Sequence, residues 1–258
     1  MLRSVDPGLN KSMTRLIDSG HDAIHTVLSC SDHQSRIIED TLTLSKLDSK
    51  LLTISPVISS PRKLLKDLHK MFAVEAERAK VNFEVIEDNS LQNLAVKWLM
   101  MDPSRTLQIL INLVTNAIKF TKGEARNLKL VSVTMSVSTE RPSGNCGFPD
   151  SGVVYNSSQF LREDITMEPE WGGGEPIYLC FTVKDTGRGV NPDEQARLFS
   201  RFSQASKKTH IVYGGAGLGL FISQELTELQ GGESKQFHSW LKLLTLWRYF
   251  RLIVIRNY

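Results

Sequence analysis

Apolar positions recur along the chain at spacings that change several times. Between Met13 and about Leu52 there is no proline, and glycine occurs only at Gly20. Ile37, Leu44 and Leu51 fall seven residues apart, and Leu47 follows Leu44 by three. That is an a/d seam, the pattern of a helix packing against another long helix. A single amphipathic helix lying on its own domain is the plainer reading of the same stripe. Pro56 and Pro61, with serines around them, end the run, so Ser55 to Ser60 reads as a linker. A second helix is predicted over Arg62 to Lys80, with Leu65, Leu68, Phe72 and Ala76 on one face. Val81, Phe83 and Val85 then alternate with polar residues, as do Leu94, Val96 and Trp98, which predicts two half-buried strands. Asp102-Pro103-Ser104 signals a helix start. From Arg105 to Thr121, residues Leu107, Leu110, Ile111, Val114, Ala117 and Ile118 trace a helical face.

A strand follows at Leu128 to Val137. The stretch at about 138–176 changes character: it is rich in Ser, Gly, Pro and acidic residues and contains Gly172-Gly173-Gly174. It reads as a long irregular insertion between two strands, with Phe148, Val153, Val154, Tyr155 and Phe160 available for local cover. Ile177 to Val183 is the next strand. A glycine turn, a short helix around Asp193 to Phe202, a polar loop and a helix from Leu218 to about Leu229 complete the pattern. The final stretch, 233–258, carries five basic residues against one acidic and two of the four tryptophans. Its apolar residues show no strand alternation.

Composition narrows the class. The chain has 258 residues, 41% hydrophobic and 23% charged, which suits a globular protein and not a disordered one. A net charge of +3 is too small and too scattered for nucleic-acid binding. Cys30, Cys146 and Cys180 lie far apart, without metal-ligand spacing, and fit a reducing, cytoplasmic compartment. The N-terminus lacks the apolar run of a secretory signal. No run of about 20 apolar residues predicts a transmembrane segment.

Three segments carry chemistry. In Asn112-Leu113-Val114-Thr115-Asn116-Ala117-Ile118-Lys119-Phe120, the two asparagines are four apart and share a helix face that Lys119 joins. Two amide oxygens and an ammonium on an otherwise apolar helix suit a magnesium phosphate, since Mg²⁺ takes hard oxygen ligands and shares them with phosphates. A solvated polar face would show the same spacing. In Val183-Lys184-Asp185-Thr186-Gly187-Arg188-Gly189-Val190, a strand runs into a carboxylate and two glycines. The carboxylate can accept from an exocyclic amine such as that of adenine, and the glycines admit a flat ligand; a plain acidic turn has the same composition. In Gly214-Gly215-Ala216-Gly217-Leu218-Gly219-Leu220, glycine-rich backbone enters an apolar helix, as a phosphate cradle requires. A flexible hinge is the alternative for that cluster alone.

The order of these segments resembles the catalytic, ATP-binding domain of sensor histidine kinases, most of all the hybrid type found in fungi. INLVTNAIKFT is similar to the family's N box and VKDTGRGV to its first glycine box. LFSRFSQAS is similar to its phenylalanine box, and GGAGLGL to its second glycine box. The resemblance covers about Pro61 to Gly232, and CSDHQSRIIEDTLTLSKLDSKLL upstream resembles the second helix of the family's dimerisation and phosphotransfer hairpin.

The resemblance implies an α+β fold, a two-layer α/β sandwich of the kind found in gyrase and chaperone ATPases, preceded by a long hairpin helix. Its implied parts are a partial hairpin region at 1–55, a catalytic domain at 61–232 and an atypical tail at 233–258. It implies ATP and Mg²⁺ as cofactors, with Asn116 as the metal ligand and Asn112 and Lys119 near the phosphates. Related ATPases carry a glutamate general base where this chain has Asn112, which favours phosphoryl transfer to a protein over hydrolysis. Asp185 would read the adenine amino group, with Gly187 and Gly189 shaping the pocket. Phe199 and Phe202 would anchor a lid at about Ser203 to Tyr213. Gly215, Gly217, Leu218 and Gly219 would hold the phosphates. The implied partners are a histidine kinase hairpin or a second copy through the N-terminal helix and, indirectly, a response-regulator receiver domain.

Two features depart from the family. None of the six histidines has the acceptor context of an acidic neighbour followed by Arg and Pro; His21-Asp22 comes nearest but continues Ala23-Ile24-His25. The chain is therefore expected to begin after the acceptor box. Beyond Gly232 the family's Ser/Gly-rich turn and final strand pair are replaced by SKQFHSWLKLLTLWRYFRLIVIRNY. This tail is read as a substitute helix, a partner- or membrane-surface segment, or a misread exon. Two functions follow: a kinase core that phosphorylates a histidine supplied elsewhere, or a non-catalytic nucleotide-binding module that modulates a full-length kinase.

Overall fold

The computed structural model describes residues 7–124, 128–140, 153–154, 168–191, 194, 197–202, 217–239 and 243–255. A 42-residue helix α1 (Pro7–Asp48) leads into strand β1 (Val57–Ser59), helix α2 (Pro61–Arg78), strand β2 (Asn82–Glu87), helical turn α3 (Ser90–Asn93) and strand β3 (Trp98–Met101). Helix α4 (Pro103–Lys122), strands β4 (Leu130–Ser138), β5 (Val153–Val154) and β6 (Glu175–Asp185), helix α5 (Gly219–Leu229) and strands β7 (Glu233–Ser239) and β8 (Leu243–Ile255) follow. Among the described residues, eight strands form one sheet of order β1-β3-β8-β6-β4-β2, with β7 beside β8 and β5 beside β7. β2 and β4 run parallel, and the other pairs are antiparallel.

α2, α4 and α5 form the helical layer. α4 buries Thr106, Ile109, Leu110, Leu113, Val114, Ala117, Ile118 and Thr121, an i, i+3/i+4 stripe. It meets the alternate residues Val131, Val133, Met135 and Val137 of β4 and Ile177, Leu179, Phe181 and Val183 of β6, all buried in one core. Asp102 starts α4 as the sequence predicts. Its carboxylate accepts from Arg105 N at 3.0 Å, and Pro103 occupies the first turn, where no amide donor is needed. The second oxygen accepts from Ser55 N at 3.0 Å and so ties the chain before β1 to α4.

The structure changes four expectations. Val57–Ser59, inside the expected linker, pairs with β3; Pro56 and Pro61 flank this short edge strand without interrupting it. Leu94 and Val96 lie outside β3, because the chain turns at Ala95 (φ 52) and Val96 N donates back to Leu91 O at 2.9 Å. Within the expected irregular insertion, a 3-10 turn at Pro169–Trp171 buries Trp171, and β6 already begins at Glu175; Phe148, Tyr155 and Phe160 lie outside the described residues. The tail supplies strands and not a helix: β8 sits between β3 and β6, and Leu252 and Val254, two apart, enter the core. An apolar run without alternation cannot separate helix from strand. The aromatic and β-branched content of Tyr249, Phe250, Ile253, Val254 and Ile255 favours the strand.

α1 joins the domain only near its C-terminal end. Thr43 and Leu44 are buried and Leu47 is half-buried there, whereas Leu51 of the predicted seam is exposed. Farther back, Leu16, Ile17, Ile24, Val27 and Leu28 face solvent. No helix among the described residues is long and apolar enough to cross a membrane.

Candidate functional site

α4 is the element around which the predicted residues gather. Asn112 and Asn116 are half-buried, one turn apart on the same face. Asn112 Nδ2 donates to Gly219 O at 3.3 Å and to Ser223 Oγ at 3.2 Å, so its amide is turned onto the first turn of α5. A Cβ on Gly219 would stand 3.4 Å from Asn112 Cγ and Oδ1, at the near edge of ordinary contact, so the amide packs directly on the glycine. Asn116 makes no side-chain hydrogen bond among the described residues. Lys119 is half-buried; burial pushes its ammonium below the usual lysine range, and the Arg36 guanidinium of α1 pushes it further. Its Nζ lies 5.5 Å from the Phe120 ring centroid, and Arg188 Cζ lies 5.4 Å from the same centroid.

The end of β6 meets the C-terminal end of α4. Asp185 is 3% exposed, and its Oδ1 accepts from Gly187 N at 2.9 Å. Burial raises its pKa from 3.8 to about 7, against the opposing pull of the Gly187 hydrogen bond. A Cβ at Gly187 would lie 2.7 Å from Asp185 Oδ1 and 2.9 Å from the Phe120 carbonyl oxygen. Glycine is therefore needed to fold the turn back over the carboxylate. Thr186 pins the turn from below: Leu130 N donates to its Oγ1 at 2.9 Å. Gly189 has φ 69, the left-handed region that other residues rarely adopt. Beyond it, Asn191 and Glu194 cap each other: Glu194 N donates to Asn191 Oδ1 at 2.8 Å and Asn191 N to Glu194 Oε2 at 3.2 Å. Glu194 also pairs with Arg188 at 3.1 Å.

The third segment enters α5. Gly217 has φ 70, Leu218 is buried, and Gly219 is the first helical residue. Gly215 and the expected lid at 203–213 lie outside the described residues, as do residues 193, 195 and 196 of the expected helix at 193–202. Of that span Glu194 and Arg197 are helical, whereas 198–202 form turns and a bend, so the helix ends earlier than expected. The two phenylalanines separate: Phe199 is buried in the core, whereas Phe202 is 67% exposed with φ 56. The structure thus brings Asn112, Asn116, Lys119, Asp185, Gly187 and Gly219 to one helix and its two neighbours.

Sequence reasoning missed Ser223, Glu194 and the approach of Arg36 to Lys119. Ser223 carried a legible signal, since it follows Gly219 by four residues and so shares its helix face. The Asn191-x-x-Glu194 spacing was a legible capping signal as well. Arg36 carried none, because it sits on a helix remote in sequence.

The family described as histidine kinase-, DNA gyrase B-, and HSP90-like ATPase matches residues 101–243. The chain belongs to that family. This ATPase-family chain is 28% identical over 222 residues to Histidine kinase 5 of Arabidopsis thaliana, covering 86% of its own length and 22% of the relative's. It is also 28% identical over 257 residues to Histidine kinase 2 of Arabidopsis thaliana, covering 90% of itself and 21% of that protein. Hybrid signal transduction histidine kinase K of Dictyostelium discoideum is 28% identical, over 80% of this chain and 14% of its own. The chain therefore spans about a fifth of the length of the curated relatives it matches. Among solved structures, full-length ShkA in complex with AMPPNP superposes with a TM-score of 0.60 at 22% identity, over 98% of this chain and 40% of that one. The Acinetobacter baumannii histidine kinase AdeS gives 0.52 at 15% identity, over 98% and 87%. At these identities the superpositions establish the fold, the histidine-kinase-type ATPase α+β arrangement that the sequence implies.

Proposed function

We propose that this chain is the ATP-binding kinase core of a phosphorelay sensor histidine kinase, which presents the γ-phosphoryl of Mg·ATP to a histidine. The observation that carries the reading is the convergence on α4. The half-buried Asn116, with no side-chain hydrogen bond among the described residues, lies between a glycine-bounded helix N-terminus on one side and the buried Asp185-Gly187 turn on the other.

The residues suit the group. The turn at Gly187 packs too closely on Asp185 and Phe120 for a side chain, which keeps bare backbone beside the carboxylate that would face a base. An ionised Asp185 accepts from the amino group of adenine. The first turn of α5 offers backbone N–H donors and a positive dipole end to phosphate oxygens. Asn116 supplies a hard amide oxygen for Mg²⁺, and the Lys119 ammonium counters phosphate charge. Mg²⁺, when bound with ATP, neutralises charge that develops on the transferred phosphoryl group. Asn112 cannot take a proton from water, and its amide is engaged by α5; both favour transfer over hydrolysis.

The acceptor is a histidine outside the contexts found here, since none of the six in this chain carries the family's acceptor pattern. A kinase hairpin or a second copy, docked along the exposed apolar residues of α1, would bring one within reach, and a receiver domain would take the phosphoryl next. The missing context also supports a second reading, a non-catalytic nucleotide-binding module that pairs with a full-length kinase. Both place the chain in the cytoplasm.

Nucleotide affinity measured with and without Mg²⁺, for wild type and Asn116→Ala, tests the site. The expected result is a Mg²⁺-dependent gain in ATP affinity that the variant loses; equal Mg²⁺ dependence in both would remove Asn116. Incubation with γ-labelled ATP and a separate kinase hairpin then separates the two readings. Label on the hairpin histidine supports the kinase, and its absence with ATP bound supports the module.

A further inference from the structure

Ser223 has no place in the sequence-level site, yet its hydroxyl is completely buried and in contact with it. Asn112 Nδ2 reaches both Gly219 O and Ser223 Oγ, at 3.3 and 3.2 Å. Gly219 and Ser223 are one turn apart, so one amide group straddles the first turn of α5, and each of its two protons finds an acceptor. The polar contacts continue along the same helix pair. Thr227 Oγ1 donates to Ser223 O at 2.6 Å, and Thr106 Oγ1 reaches Gln230 Oε1 at 3.4 Å. Around them the interface is apolar, with Ile109, Leu110 and Leu113 of α4 and Ile222 and Leu226 of α5 in the core. Apolar contact is non-directional and tolerates small slides. The amide pair is directional and fixes the register of one helix on the other.

We propose that Ser223 is a positioning residue: through Asn112 it locks the N-terminal turn of α5 against α4 and so sets the phosphate end of the nucleotide site. This rests on the ATP-binding reading above. Asn116 stands one turn beyond Asn112 on α4, and Gly219 begins α5. The clamp therefore sets the spacing between the amide oxygen offered to the metal and the N–H groups offered to the phosphates. The adenine end, at Asp185 and Gly187, is held by different contacts and does not depend on it.

The test measures affinities for Mg·ATP and for adenosine in wild type, Ser223→Ala, Asn112→Ala and the double variant, alongside thermal unfolding. Loss of one buried hydrogen bond predicts a drop of about tenfold in Mg·ATP affinity for Ser223→Ala. Adenosine affinity stays at the wild-type value, and the double variant is no weaker than Asn112→Ala. Should Ser223→Ala fail to fold, Ser223→Cys keeps the volume with a poorer acceptor and is expected to show the same selective loss. Unchanged Mg·ATP affinity, or equal losses for ATP and adenosine, would overturn the positioning role and leave the nucleotide reading intact. A folded wild-type chain that bound neither ligand would overturn both.

Discussion

Arg201 reaches from the turn after Phe199 to Asp48, the last residue of α1. Its guanidinium makes a two-point pair, Nη2 to Oδ1 at 2.7 Å and Nη1 to Oδ2 at 3.1 Å. Its Cζ lies 4.7 Å from the Phe221 ring centroid on α5. One side chain thus links the long helix, the turn after Phe199 and the helix behind the glycine box. Both partners are about half exposed, so solvent screens the pair. A double-mutant cycle of Asp48→Ala and Arg201→Ala in urea unfolding should give a coupling of about 0.2–1 kcal/mol that shrinks with added salt. Arg201→Ala should cost more than Asp48→Ala, because it also gives up the ring contact. Equal single costs would show that the Phe221 contact contributes nothing.

Asp185 predicts a pH dependence. Its pKa is raised by burial from 3.8 to about 7, so the folded chain holds a proton that the unfolded chain releases at lower pH. Stability is then fullest below about pH 4 as far as this group is concerned, and it is lost as pH rises towards 7. Asp40 acts in the same direction up to about 6, through burial and the neighbouring Glu39. Adenine binding takes the opposite sign, since the ionised carboxylate is the acceptor, so affinity should rise as pH passes through 7. Asp185→Asn should flatten the binding slope, and in the stability curve it should remove the Asp185 part and keep the Asp40 part. Urea midpoints and ATP titrations across this range decide it; a variant with the wild-type slopes would sink the assignment.

Gly187→Ala tests the turn over Asp185. The added Cβ would lie 2.7 Å from a buried carboxylate oxygen and 2.9 Å from a helix carbonyl, and the carbonyl cannot swing away without bending α4. A loss of about 1–3 kcal/mol is expected, together with most adenine affinity. Gly173→Ala is the control, because nothing lies within 4 Å of its new atom; it should stay within about 0.5 kcal/mol of wild type. A Gly187→Ala variant as close to wild-type stability as Gly173→Ala would mean that the turn does not need glycine.

Much of this architecture was legible because its signals are local. The α4 stripe, the Asp102 cap and the three chemical segments are each carried by residues close together in sequence, and the structure keeps α4 and α5 close to their expected bounds. What was not legible depends on pairing between distant segments. The three residues of β1 are too few to show a period, and only β3 gives them a strand geometry. β8 lacks alternation, and its place between β3 and β6 follows from register with partners far upstream. Asn112 shows the same limit within the site. Its helix face was readable, but its engagement by Ser223 needs α5 in place.

Thr121 offers a route to a more stable chain. It lies in the last turns of α4, fully buried, and among the described residues its Oγ1 has no hydrogen-bond partner. Threonine hydroxyls in helices commonly bond the carbonyl four residues back, as Thr106 does to Asp102 O at 2.8 Å and Thr227 does to Ser223 O at 2.6 Å. Thr121 carries the desolvation cost of the hydroxyl without that return. Valine has nearly the same shape and no polar atom, so Thr121→Val should raise stability by about 1 kcal/mol, read as a higher urea midpoint at unchanged slope. Thr106→Val and Thr227→Val are the contrast, since each removes a bonded hydroxyl and should lower stability by a similar amount. Thr121→Val destabilising the chain as much as these two would mean that the Thr121 hydroxyl is satisfied in solution.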